Sequence, residues 1–317
     1  MSRTVALRWT RFAAVHLRDL LILLLGLTTL LFFLLRLAGD PAVVIAGADA
    51  SAEQLAEVRA AYGLDRPAWQ QYVSYVARLA RFDLGESLIS ARPALHAVLE
   101  VLPATLTLAG LGMAATLAIA VPLGAWLGAH WPTPARRATA SLLFFLQGVP
   151  GFVIALVLVQ WLAIRLGMLP ALGFGGPSTW LLPMLSLAGF LAPRLARVIA
   201  TNVAQAMSED YIRTARASGA GPREVLFGHA LPNALLGATA LAGTQLAFLV
   251  SGVVVIEFIF AWPGVGWLLI ESTRTLDFPV VQAVALVVGT LVFTLNTVVD
   301  ALLLKLDPRL SAAGSQV

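Results

Sequence analysis

Few side chains in this chain could do covalent chemistry, and their spacing excludes most of it. There is no cysteine, which removes thiol nucleophiles, zinc–thiolate sites and disulfides. The four histidines (His16, His96, His130 and His229) are far apart, and neither a His-Glu-x-x-His nor a Gly-x-Gly-Asp pattern occurs. A serine–histidine pair working inside the membrane needs both groups at depth, whereas these histidines fall at span ends or outside. Lys305, the sole lysine, stands in LLLKLDP and follows no glycine-rich turn. A P-loop for ATP is therefore excluded. No catalytic, cofactor-binding or metal-binding set emerges, and the chain reads as a protein that is not an enzyme. Glu257, Asn296, Asp300, Gln147, Gln160 and Arg194 lie in or near apolar stretches, where ionisable groups are costly and tend to be functional. Glu257 or Asp300 could serve an ion-coupled carrier, but both fall near predicted span ends, where water reaches.

The elements that carry these residues are dictated by composition. Hydrophobic residues make up 59% of the 317 positions and charged ones only 12%, so the bilayer must be the solvent. The formal charge of +4 comes from arginines scattered among apolar spans, without the basic stripe of a nucleic-acid binder. A helix needs about 20 mainly apolar residues to cross the hydrocarbon. Six stretches qualify: 20–37, 104–129, 142–166, 180–199, 234–257 and 282–304. The first follows a basic start but has no A-x-A site directly after it, which favours a retained span over a cleaved signal peptide. Arg3, Arg8, Arg11 and Arg18 predict a cytoplasmic N-terminus by the positive-inside rule. The six spans then return Lys305 and Arg309 to the same side. Arg136, Arg137, Arg213, Arg216 and Arg223 fall in the connections expected inside, with Arg165 and Arg274 in the short outer ones. Arg194 and Arg197 read as interfacial anchors. Pro122, Gly148, Pro150, Gly151, Pro183 and Pro193 are expected to kink spans or let them pack closely.

Residues 38–102 are too polar for the membrane and too long for a plain loop, which predicts a small helical lobe outside. SAEQLAEVRAAYG begins with Ser51 and Gln54 spaced as a capping box and stops at Gly63; Leu55, Val58 and Tyr62 share a face. DRPAWQQYVSYVARLARF has Pro67 in its first turn and a stripe of Trp69, Tyr72, Val73, Val76 and Leu79. The lobe could cap the bundle or receive a docked protein.

Between spans four and five, residues 208–232 contain SEDYIRTARASGAGPREVLFGHALP. Tyr211 to Ser218 favours a helix of small side chains. Gly219-Ala220-Gly221 breaks it, and Pro222 suits the first turn of a second helix. The spacing predicts a helix–turn–helix elbow, with Pro232 where the chain re-enters the bilayer.

This elbow resembles the coupling-loop motif of ABC-importer permeases. Gly219 takes the motif glycine, Ala215 its second alanine, and Leu231 and Pro232 its Leu-Pro. Arg213, Thr214 and His229 depart from the general pattern, but an Arg-Thr-Ala-Arg-Ala run is typical of the peptide/nickel branch. LAGDPA, YGLDRPAWQQYVSYVARLARFDLGESL, LPATLTLAG and IEFIFAWPGVGWLLIESTRTLDFPVVQA are similar to that branch, in the same order along nearly the whole chain.

The resemblance implies the first-type permease of a dipeptide, oligopeptide or nickel importer in a bacterial inner membrane. Its fold would be all-α, with six transmembrane helices and the outer lobe between the first and second. The expected division is an N-terminus at 1–19, a first span at 20–37, the lobe at 38–102, a five-helix core at 103–305 and a cytoplasmic tail at 306–317. Implied partners are a second related permease, two ATP-binding subunits carrying ATP and Mg, and an extracytoplasmic binding protein. Tyr211, Arg213, Thr214, Ala215, Arg216, Ala217, Ser218, Gly219, Gly221, Leu231 and Pro232 would couple to the ATPase. Glu257, Pro263, Gly264 and Gly266 would stand at the outer end of the pathway. Peptides are the expected cargo, since no histidine or methionine cluster argues for a naked metal ion. Nickel, metallophore and glutathione importers share the motifs, and an ion-coupled secondary transporter is the alternative of another class.

Overall fold

A computed structural model of the chain describes residues 3–47, 49–129 and 133–306. His130, Arg309 and the expected tail beyond Leu306 lie outside the described residues. The described chain is helical apart from loops and one isolated antiparallel bridge between Glu86 and Pro93. Five helices among the described residues are long and apolar enough to cross a membrane. A sixth crossing arises only if one sharply bent pair counts as a single span. The chain divides into two compact units, Met1–Ala104 with Pro263–Thr294, and Thr105–Trp262 with Leu295–Val317.

The first unit begins with α1 (Arg3–Ala38), one helix that includes the basic start and the first span. Three short helices follow: α2 (Pro41–Ala46), α3 (Ala52–Ala61) and α4 (Ala68–Leu79). The capping box forms as its spacing predicts, Ser51 accepting from the Gln54 amide and Gln54 from the Ser51 amide. Asp40 caps α2 through the Ala42 amide at 2.9 Å and also accepts Arg59 at 2.6 Å. The Arg59 hydrogen bond holds the Asp40 carboxyl below its ordinary range, against a smaller opposing effect of burial. The stripe on α4 differs from expectation. Trp69 and Val73 are exposed, while Tyr75 is buried between Tyr72 and Val76, which are half-buried. Tyr72 bonds Thr29 of α1 at 2.7 Å, and the Phe32 ring meets both tyrosines. Burial pushes the Tyr75 phenol up to about 12, so the ring acts as an apolar piece of this contact.

The rest of this unit's core joins α5 (Ala94–Gly128, which continues into the second unit), α13 (Val265–Arg274) and α14 (Phe278–Leu306). Ala94, Val98, Val265, Val280 and Val284 meet there. Asp277, buried ahead of α14, accepts the Ser87 hydroxyl at 2.5 Å and the Leu88 amide at 3.1 Å.

The second unit is organised by α8 (Pro177–Ala206), which remains one helix despite Pro183 and Pro193. Its Leu195, Ile199 and Val203 are buried against α5 and α11 (Leu231–Gly252). Glycines permit that approach. A Cβ on Gly124 would stand 2.7 Å from the Ala196 carbonyl oxygen and from Ile199, and one on Gly128 would meet the Ala200 carbonyl and Val203. The Gly-x-x-x-Gly spacing thus brings two helix backbones nearly into contact.

The expected third span is broken. α6 (Pro134–Gln147) and α7 (Gly151–Leu158, prolonged by a π-helical turn to Arg165) are bent by 105° across Gly148-Val149-Pro150. Proline has no N–H to donate and drives the preceding residue to extended backbone, which accounts for the break. The expected fifth span is displaced instead. One helical path runs Pro222–Val250 through a π-helical turn at Val225–Ala230, so Pro232 interrupts nothing. The wider π turn accommodates a residue that has no N–H. Glu257 lies beyond that path, on α12 (Val254–Ile259).

Candidate functional site

The elbow forms with the bounds its glycines and proline dictate. Its first arm is α9 (Asp210–Ala217), its second opens at α10 (Pro222–Glu224) with Pro222 in the first turn. Ser218 ends α9, and Gly219 takes φ +93°, a left-handed conformation that costs an L side chain about 1–2 kcal/mol. The Ala220 amide then reaches the Ala215 carbonyl at 3.1 Å and the Gly219 amide the Arg216 carbonyl at 3.1 Å. This double closure satisfies carbonyls that the helix end leaves open.

A side chain that sequence reasoning did not single out holds the elbow in place. Ile212 is fully buried, packed with Ala206 from the end of α8 and with Val225 and Ala230 from the second arm. Its signal was an apolar residue one position after Tyr211, the sole large aliphatic side chain of the first arm. With Ile212 turned inward, Tyr211, Arg213, Thr214, Arg216, Ala217, Ser218, Gly219 and Gly221 are exposed and Ala215 is half-buried. Leu231 is buried and Pro232 exposed, about two and a half turns along the second arm from its start at Pro222. The expected set therefore divides into an outward face and an internal anchor. Arg213 pairs with Asp210 of its own helix at 3.0 Å; both ends are exposed, so the pair adds little stability. Arg216 lines a small groove with Met207, Pro222 and Leu226.

The residues expected at the outer end of the pathway fall in different units. In the second, Glu257 is fully buried, where water was expected to reach it. Thr105 Oγ1 donates to its carboxylate at 2.6 Å. Its backbone carbonyl accepts the Trp262 amide at 2.8 Å, across Ala261 at φ +50°. Trp262 is itself buried beside Phe174 and Trp180. In the first unit, Gly264 precedes α13 and Gly266 lies within it, both buried, and Pro263 is exposed. Asp300 is exposed on α14. Arg197 bonds Gln147 at 3.2 Å, and Arg194 is exposed.

Residues 120–312 match the family described as the binding-protein-dependent transport system inner membrane component, and residues 9–109 match its N-terminal companion. The chain belongs to this permease family. Among its relatives is a protein of Brucella abortus (strain 2308) named as a peptide transport system permease. The two are 37% identical over 292 residues, covering 88% of this chain and 92% of that one. The glutathione transport system permease protein GsiC of Escherichia coli (strain K12) is 34% identical over 303 residues, covering 90% and 96%.

Two solved structures share the permease fold. A chain of an amino acid ABC transporter crystallised with histidines aligns at TM-score 0.53 and 16% identity, covering 66% of this permease and 94% of that chain. A chain of the MetNI methionine ABC transporter in inward-facing conformations aligns at 0.56 and 17%, covering 68% and 98%. The permease is thus an all-α, multi-pass membrane protein of the ABC-importer kind.

Proposed function

We propose that this permease is one membrane half of an ATP-driven bacterial importer of di- or oligopeptides. A second related permease forms the other half. Two ATP-binding subunits lie beneath, holding the ATP and Mg that this chain has no P-loop to bind, and an extracytoplasmic binding protein delivers the cargo. The termini and the elbow face the cytoplasm and the lobe at 38–102 faces outward, a reading that the arginine distribution supports. The observation that carries the reading is the elbow: a short helix fixed from behind by Ile212, presenting small and basic side chains outward. Tyr211, Thr214, Ala217 and Ser218 form the face that seats on the ATPase, Arg213 and Arg216 bond its carboxylates or carbonyls, and Gly219 and Gly221 set the turn. Leu231 and Pro232 start the helix that receives the motion.

Transport then proceeds by alternating access. ATP-driven closure of the partner subunits favours one arrangement of the spans over the other, and that difference in free energy is transmitted through the elbow. Glu257, with Pro263, Gly264 and Gly266, belongs to the outer end of the pathway. The peptide reading is supported by the Brucella relative's name. Glutathione, itself a short peptide, is the second reading, supported by the relative GsiC.

The test uses the absence of cysteine. A single cysteine at the exposed Ser218, crosslinked in native membranes, should capture one protein carrying a P-loop. Uptake of labelled dipeptide, longer peptide and glutathione by the reconstituted assembly then separates the cargoes. No capture from a reactive Ser218→Cys protein, or uptake without ATP, would overturn the reading.

A further inference from the structure

Within the second unit, the end of α5, the start of α6 and the latter half of α8 enclose an open groove of about 450 Å³. Its floor is made of small residues, Gly128, Ala200 and Ala204, because α5 and α8 approach so closely there. Arg136, Arg137 and Arg197 line it, and among the described residues no acidic side chain does. The guanidinium of Arg136 stands over the Trp126 ring at 5.1 Å and that of Arg197 over Phe144 at 5.3 Å. Arg197 also bonds Gln147, which occupies one of its five donors. Two of the three charges are thus held in position by aromatic faces.

The helix that supplies two of these arginines is graded along its length. α6 begins PARRATA and continues SLLFFLQ. Arg136 and Arg137 sit in its first turn, and Leu142, Phe144 and Phe145 are exposed in its last two. A basic, donor-rich end followed by an exposed apolar flank matches a molecule with an anionic head and a hydrocarbon tail. Basic grooves between spans at the membrane surface suit phospholipid headgroups, and clustered guanidinium forks suit phosphate oxygens.

We propose that this groove binds the phosphate of an anionic phospholipid, held by Arg136, Arg137 and Arg197, with the acyl chains along Leu142, Phe144 and Phe145. The assignment is independent of the cargo and of the ATPase partner. The orientation proposed above decides only the leaflet, here the cytoplasmic one.

Thr201, which also lines the groove, gives the readout. A Thr201→Cys protein, the full chain purified and stripped of lipid, carries one thiol for maleimide labelling. Phosphatidylglycerol should slow labelling severalfold, while phosphatidylcholine with the same chains and millimolar inorganic phosphate should not. In the R136Q/R137Q/R197Q background the phosphatidylglycerol needed for protection should rise on the order of a hundredfold. Where that variant fails to accumulate, R136K/R137K/R197K keeps the charge, loses the forked donors and should give severalfold weaker protection. Equal protection by the two lipids, or undiminished protection in the glutamine or lysine variant, overturns the site. Protection by inorganic phosphate matching that of phosphatidylglycerol overturns the lipid assignment in favour of a free-phosphate site.

Discussion

The Thr105 hydroxyl donates a 2.6 Å hydrogen bond to a fully buried Glu257 carboxylate, joining residues 152 positions apart in sequence. A buried acid that loses a donor keeps its desolvation cost, so Thr105→Val should destabilise the permease by about 1–3 kcal/mol. Thr105→Ser retains the hydroxyl, and Glu257→Gln retains an acceptor oxygen; both should be milder. Thermal unfolding of the purified permease ranks the three. A Thr105→Val protein as stable as the parent would remove this bond from the account.

Ile212 is the sole fully buried side chain of α9. Ile212→Ala should cost about 2–5 kcal/mol, spent where the elbow meets the end of α8 and the second arm. The variant should insert normally, but trypsin should cleave at Arg213 or Arg216 faster than in the parent. Ile212→Val should stay near the parent's rate. Unchanged cleavage would mean that Ile212 does not anchor the elbow.

At Gly219 an added Cβ would meet no atom within 4 Å beyond its chain neighbours, so a substitution there is strained by the backbone alone. Aspartate tolerates this left-handed conformation better than alanine. If only backbone strain mattered, Gly219→Asp would be the milder change. If the turn docks on an ATPase, the new charge makes it the worse one, leaving ATP hydrolysis uncoupled from uptake. Ala217→Glu should behave like Gly219→Asp. The ratio of uptake to hydrolysis in proteoliposomes decides between the two orders.

The Asp40–Arg59 pair should make the start of the lobe sensitive to acid and to nothing near neutrality. Because the folded-state pKa is lowered from 3.8, the pair's contribution is complete above that value and disappears as pH falls through the lower one. Both groups are more than a third exposed, so the effect is small. Hydrogen exchange over residues 41–61 should be faster in Asp40→Asn than in the parent at about pH 5. The difference should vanish once the carboxyl is protonated.

Local signals were legible wherever neighbouring residues decide the outcome. Ser51 and Gln54 cap their helix as spaced, and Gly219 and Pro222 divide the elbow where glycine and proline must. Periodicity failed on α4 because it marks an apolar face without saying whether protein or lipid covers it; Tyr75 went inward and Trp69 outward. Gly148, Pro150 and Gly151 marked a kink in the third span, but hydropathy sums over them and gave no sign that the bend reaches 105°. It also placed the fifth span late, because the polar residues of Pro222–Ala230 hide a helix continuous with the apolar run. Glu257 looked water-accessible since its donor, Thr105, is remote in sequence.

The seating of α8 on Gly124 and Gly128 has a mechanical consequence. Contacts between long side chains absorb displacement by changing rotamers, whereas a backbone resting on glycine has none to change. The joint between α5 and α8 is therefore stiff. Since α8 ends at Ala206, in the same small core that holds Ile212, a displacement of the elbow is expected to pass to α5 with little slack, and an added methyl group at Gly124 to separate the two helices before weakening either one.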